Sequence, residues 1–187
     1  MTLNRRAVVA LMTLAALSAA GARAQTPVTP AMPTASAAPP EVAAELGSGT
    51  LRFMGLCVYD ARLWTSATAP GADWAAAPLA LELEYARSLD GVRIAKRSLT
   101  EMRRQGEIAA DVAERWLGAM KQLFPDVQAG HRITGVNVPG MGARFFINGR
   151  FKGDVRDLAF ARSFFGIWLS PQISDPALRD NLLGKAS

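Results

Sequence analysis

The chain has 187 residues, with 21 Lys and Arg against 16 Asp and Glu, half of its residues hydrophobic, one Cys and one His. A single cysteine, Cys57, excludes an internal disulfide, and one cysteine with one histidine, His131, excludes a four-ligand structural zinc site. The formal net charge of +5 falls to +2 without residues 1–24, which hold Arg5, Arg6 and Arg23 and no acid, so the basic balance is no argument for nucleic-acid binding.

Residues 1–24 read as an export signal: an arginine pair, the apolar run Ala7 to Ala20, and an A-x-A-like cleavage site at Ala22-Arg23-Ala24. The apolar run is too short and too rich in alanine for a membrane span. The expected location after cleavage is the periplasm, with no transmembrane segment left. Residues 25–43 are dominated by Pro, Ala, Thr and Ser and cannot bury enough surface to fold, so a flexible tether is expected there. Residues 44–187 are then one domain with a core of its own.

Gly47 to Thr65 has the β-branched and aromatic content of strands, broken by a turn or bulge at Gly55. Cys57 in this run reads as a small buried hydrophobe. A loop rich in Ala, Pro and Gly follows, with Trp74 as its anchor. From Leu79 to Arg87 the alternation is clear: Leu79, Leu81, Leu83 and Tyr85 face one way, and Ala80, Glu82, Glu84 and Ala86 the other. That pattern predicts a half-buried antiparallel strand.

Ser98 and Glu101 have capping-box spacing ahead of Met102, and Gly106 breaks the run. Arg97, Glu101, Arg103 and Arg104 read as an exposed helical face with i,i+4 pairing of Arg97 and Glu101. A second, amphipathic helix spans Ile108 to Phe124, ended by Pro125. Strands follow at Arg132 to Val138 and Ala143 to Ile147, and Asn148-Gly149 is a strong hairpin signal leading into Arg150 to Val155. The segment after Asp157 is apolar round more than half its circumference. The remainder is a stripe of small residues, Ala159, Ser163, Gly166 and Ser170, with Arg162 as its only charge, which predicts a largely buried helix stopped by Pro171. Asp175-Pro176 caps a short last helix, and Gly184 suits its end. Strands, helices, strands and helices in this order make an α+β domain.

Five stretches, taken in order, carry a family resemblance: GSGTLRFMGLCVYDARLW at 47–64, RSLTEMRRQG at 97–106, FPDVQAG at 124–130, FFINGRFKGDV at 145–155 and FFGIWLSPQISDPALRDNLLG at 164–184. Together they resemble the chalcone isomerase-like proteins in their bacterial exported branch. The resemblance implies an open-faced β-sandwich, a large antiparallel sheet covered on one face by helices, with a ligand cleft between them. In the plant enzymes that cleft closes a chalcone to a flavanone by intramolecular addition; fatty-acid-binding relatives keep an arginine and a tyrosine for the lipid carboxylate. Arg52 stands in the region of that arginine, and Tyr59 or Asp60 in that of a plant threonine. The plant tyrosine and asparagine fall near Ile94 and Glu101, and a late Thr/Ser near Gly166. With those residue types changed, the flavanone-forming apparatus looks absent and no cofactor is implied.

The polar residues carry two readings each. Arg52 is a carboxylate-receiving fork or a solvated strand arginine. Tyr59 and Tyr85 supply hydroxyls to a pocket or are core tyrosines. Arg162 is paired internally or lines a cavity, and the stripe around Gly166 either packs directly or leaves an apolar space beside that arginine. The expected function is binding of an apolar or fatty-acid-like small molecule between sheet and helices, with Arg52, Tyr59, Tyr85, Arg162 and Gly166 as the candidate ligand-binding residues. The alternatives are an isomerase of another substrate, with Arg52 and Tyr59 standing in, and a periplasmic protein-interaction module.

Overall fold

The computed structural model describes residues 44–65 and 74–185. The export signal expected at 1–24 and the tether expected at 25–43 lie outside the described residues.

An antiparallel sheet holds β1 (Ala44–Phe53), β2 (Leu56–Thr65), β3 (Leu79–Tyr85), β4 (Arg132–Val138), β5 (Gly142–Ile147) and β6 (Arg150–Val155), with spatial order the same as chain order. Helices α1 (Gly91–Met102) and α2 (Ala110–Leu123) connect β3 to β4; α3 (Leu158–Leu169) and α4 (Pro176–Leu182) follow β6. Among the described residues no helix is long and apolar enough to cross a membrane. This is the expected α+β open-faced sandwich.

The main core lies between the sheet and the helices. Leu63, Leu81, Leu83 and Phe145 come from the strands, and Phe160, Phe164, Phe165 and Trp168 from α3. Such burial of large apolar side chains is the main favourable term in folding. Sheet residues of the other face form a smaller cluster: Trp64, Ala80 and Val136, with Val138 and Phe146 against them. Here β3 departs from the half-buried strand predicted by its alternation. Ala80 is fully buried and Glu82 only 5% exposed. The reason is lateral: Arg62 and Arg132 on the neighbouring strands approach Glu82 at 3.6 and 3.8 Å and Glu84 at 3.8 and 3.0 Å, so the carboxylates are enclosed by their own cation partners.

Two further expectations fail in α1. Its cap is Asp90, whose side chain accepts from the Arg93 backbone N–H at 2.8 Å. Ser98 and Glu101 therefore lie inside the helix, and the Ser98 hydroxyl donates back to the Ile94 carbonyl. Glu101 is not on an exposed face either: the residue is 7% exposed, although Arg97 pairs with it at 2.6 Å and Arg104 at 3.1 Å. Cys57, read as buried, is half-buried because its strand pair, Arg52, lies beside the exposed hairpin tip.

Asp157 caps α3 by accepting from Phe160 N at 3.0 Å, and its other oxygen accepts from the Trp116 indole N–H at 2.8 Å. One carboxylate thus fastens the middle of α2 to the first turn of α3. Helix α4 lies on β1 so closely that a Cβ at Gly47 would collide with the Asn181 and Leu182 carbonyls.

Candidate functional site

Between the sheet and helices α1, α3 and α4 lies a cleft of about 580 Å³, a size typical of small-molecule sites. Its buried lining is mostly apolar and aromatic, with Leu83, Tyr85 and Ile133 from the sheet, Phe124 after α2, and Phe164 and Trp168 from α3; Ser98 and Glu101 of α1 are its buried polar members. Its exposed lining is cationic: Arg52 from β1, Arg87 after β3, and Arg93 and Arg97 one turn apart on α1.

A bulge positions the strand side of the mouth. Leu51 pairs with Tyr59, but the next residue, Arg52, pairs with Cys57, so Val58 is the extra residue. A regular strand would send Val58 and Tyr59 to opposite faces; with the bulge both line the cleft.

Tyr59 accepts a hydrogen bond from the Trp168 indole N–H at 3.0 Å, and its ring meets Tyr85 edge-on, centroids 5.9 Å apart. Burial, with the Asp175 and Glu101 charges adding to it, pushes the Tyr59 phenol well above its ordinary value despite the Trp168 bond; burial and then Tyr59 do the same to Tyr85. Both phenols are therefore neutral at any physiological pH. With the indole N–H on its oxygen, Tyr59 has its O–H left to donate. These are hydrogen-bond donors, not bases.

The charges at the mouth are unequally partnered. Arg97 is engaged by Glu101, whose Oε1 lies within ion-pair reach yet outside hydrogen-bond geometry. The other acid in the lining, Asp175, accepts from Leu178 N as the α4 cap. Arg52, Arg87 and Arg93 have no carboxylate within ion-pair distance among the described residues. The arrangement can enclose an apolar body and offer guanidinium forks to an acidic head. Among the described residues no cluster of three His, Cys, Asp or Glu is placed to hold a metal ion.

Of the five residues singled out in the sequence, the fold brings Arg52, Tyr59 and Tyr85 together at this cleft. Arg162 and Gly166 lie elsewhere. The small-residue stripe of α3 faces the turn after α1, where the Gln105 side chain donates to the Ser163 carbonyl at 2.8 Å and occupies the volume beside Gly166. The amide fills the space beside Gly166, while Ala159 is exposed and Ser163 and Ser170 line a second, smaller cleft. Arg162 lies over the Trp74 ring, 5.8 Å from its centroid, at a smaller cleft of about 380 Å³. Sequence reasoning missed Arg87 and Arg93 and read Arg97 as a surface residue. The spacing of Ile94, Ser98 and Glu101 at i, i+4 and i+7 was the available signal, since all three line the cleft from one side of α1.

The family model described as chalcone isomerase-like matches residues 46–184. Among solved structures, the chain is similar to a fatty-acid binding protein of Arabidopsis thaliana, with a TM-score of 0.60 and 15% identity, over 78% of this chain and 90% of that one. At that identity the likeness is one of fold. An uncharacterized protein of Haemophilus influenzae is 29% identical over 108 residues, 58% of this chain and 52% of the relative. The chain thus spans about half the length of the curated relative it matches.

Proposed function

The chain belongs to the chalcone isomerase-like family, and on that footing we propose that it binds a long-chain carboxylate or similar acidic amphiphile in the cleft between sheet and helices, without turning it over. The observation that carries this reading is the pairing of a largely apolar, aromatic interior with Arg52, Arg87 and Arg93 at the mouth, none of them held by a carboxylate among the described residues. The acyl chain replaces water against Leu83, Ile133, Phe164 and Trp168, and the head group sits among the guanidinium groups with the Tyr59 hydroxyl as a neutral donor. The Arabidopsis protein of the same fold is named for fatty-acid binding, which supports the choice of ligand class. The same reading includes export, with residues 1–24 removed and the domain in the periplasm.

The test is displacement of a fluorescent fatty acid from the full chain. The double variant Arg52→Ala/Arg93→Ala is expected to weaken binding of a long-chain carboxylate about thirtyfold, because each of the two exposed charge-assisted contacts is worth on the order of 1 kcal/mol. Binding of the alcohol of equal chain length should change little. Equal losses for acid and alcohol, or none for either, would reject the arginines as the head-group site.

A second reading, isomerisation, is favoured by one observation, the donor pair Arg52 and Tyr59 at one cleft. Such donors stabilise a developing enolate. Turnover of a simple chalcone above the buffer rate, lost in Arg52→Ala, would select this reading over mere binding.

A further inference from the structure

The β1–β2 hairpin overhangs the rest of the sheet. Strand β3 pairs with β2 only from Tyr59 onward, with one more bond from Ala86 N to the Val58 carbonyl. Beyond that point the pairs Arg52 with Cys57 and Phe53 with Leu56 have no third strand among the described residues, and the chain turns at Met54-Gly55. Three large apolar side chains sit in this four-residue tip: Phe53 is 67% exposed, Met54 86% and Leu56 58%.

The turn itself is built against its own chemistry. Met54 and Gly55 have φ of 51° and 79°, the geometry of a two-residue hairpin turn that favours Asn-Gly. The two-residue turn between β5 and β6 obeys the preference, with Asn148 at 50° and Gly149 at 76°. Methionine at a left-handed position is strained, and its side chain gains nothing from water. In a water-facing hairpin both features are costs without return. In a bilayer interface the second becomes a gain.

The tip is continuous with the mouth of the cleft. Phe53 belongs to both, Arg52 stands next to it in the lining, and Arg87 and Arg93 stand on the same rim without ion-pair partners among the described residues. An apolar tip flanked by cations is complementary to an anionic lipid surface, to which each basic residue near the headgroups adds attraction. We propose that the hairpin tip docks the mouth of the cleft on an anionic bilayer, with Met54 and Leu56 inserted and Arg52, Arg87 and Arg93 among the headgroups. The docking stands on the hairpin and the arginines; its use, passage of an acyl ligand between bilayer and cleft, rests on the binding function proposed above.

The experiment is flotation of the full chain with phosphatidylcholine vesicles, with and without phosphatidylglycerol, beside fatty-acid displacement in vesicle-free solution. The chain should float with the anionic vesicles, weakly with the neutral ones, and less as salt rises. Met54→Ser/Leu56→Ser, which removes only side chains outside the cleft lining, should lower the anionic partition on the order of tenfold and leave fatty-acid affinity unchanged. Met54→Asn should weaken partition while holding or raising the melting temperature, which separates a docking role from a structural one. Equal flotation with both vesicle types, or undiminished flotation of the double variant, overturns the proposal. So does a concentration-dependent dimer of the parent abolished by the same double variant, because a second copy is then the occupant. Vesicle binding without fatty-acid binding refutes the ligand reading and upholds docking; the reverse pattern refutes docking alone.

Discussion

Replacing Phe164 by alanine is expected to lower the unfolding free energy by about 3–5 kcal/mol, the usual cost of truncating a buried phenylalanine. The ring is 5% exposed and stands at the centre of the aromatic core. It stacks on Phe160 at 5.6 Å with 12° between planes, meets Phe145 edge-on at 5.1 Å and Trp168 at 5.5 Å, and touches Phe124 and Phe165. No single neighbour can move into the void without breaking another ring contact, so collapse is limited and the cost falls high in the range. In urea, the midpoint should drop with the slope unchanged. Leu158→Ala on the same helix, at a residue 57% exposed, should stay within about 0.5 kcal/mol. A loss below about 1 kcal/mol for Phe164→Ala would show that the ring cluster is not what holds α3 to the sheet.

A loss of about 2–4 kcal/mol is expected for Asp157→Ala. The helix cap contributes about 1 kcal/mol, and the Trp116 indole N–H, left without an acceptor in a buried side chain, costs about 1–3 kcal/mol more. The effect carries a pH signature. Burial pushes the Asp157 carboxyl up, but the hydrogen bonds from Phe160 N, the Trp116 indole and Ala159 N, with the Arg115 charge, outweigh it and hold the group below the ordinary carboxylate value. A lowered value in the folded state stabilises the fold above the unfolded carboxylate pKa of about 4. That contribution is lost as pH falls through the lower folded value. The gap between parent and Asp157→Ala should therefore be widest near neutrality and close on acidification below about pH 4. A gap independent of pH would mean that the ionised carboxylate is not what the two donors require.

Much of the fold was legible because its signals are local. Strands β4 and β6 run from Arg132 to Val138 and from Arg150 to Val155 as their composition predicts, and Asn148-Gly149 turns between β5 and β6. Asp175 caps the last helix as Asp175-Pro176 predicts. Local signals also misled. Ser98 and Glu101 have capping-box spacing, yet Asp90, eight residues before Ser98 in the sequence, had already started the helix. The spacing of two side chains says nothing of whether the backbone N–H groups between them are free. Arg52 and Tyr59 were singled out through the family resemblance and Tyr85 for its hydroxyl, and the fold brings all three to one cleft. Arg87 and Arg93 were not singled out, since what unites them with Arg52 is a shared rim built from three separate segments. At Gly166 the small stripe on α3 makes room for another side chain. Its partner, Gln105, lies some 60 residues earlier in the chain, beyond what helical periodicity reports.

The seam between α4 and β1 has a consequence for folding kinetics. Strand order follows chain order, so each strand pairs with its sequence neighbours, and the tight hairpins can form early at small entropic cost. Seating α4 on β1 joins the first and last described elements and is the contact with the longest intervening chain. It is consequently expected to close after the rate-limiting step. A methyl group at Gly47, which faces the Asn181 and Leu182 carbonyls, should then leave the folding rate nearly unchanged and place its destabilisation in the unfolding rate, as stopped-flow measurements in urea would record. The domain's lifetime against unfolding is thus governed at the junction of its two ends, while its speed of assembly is governed in the hairpins between them.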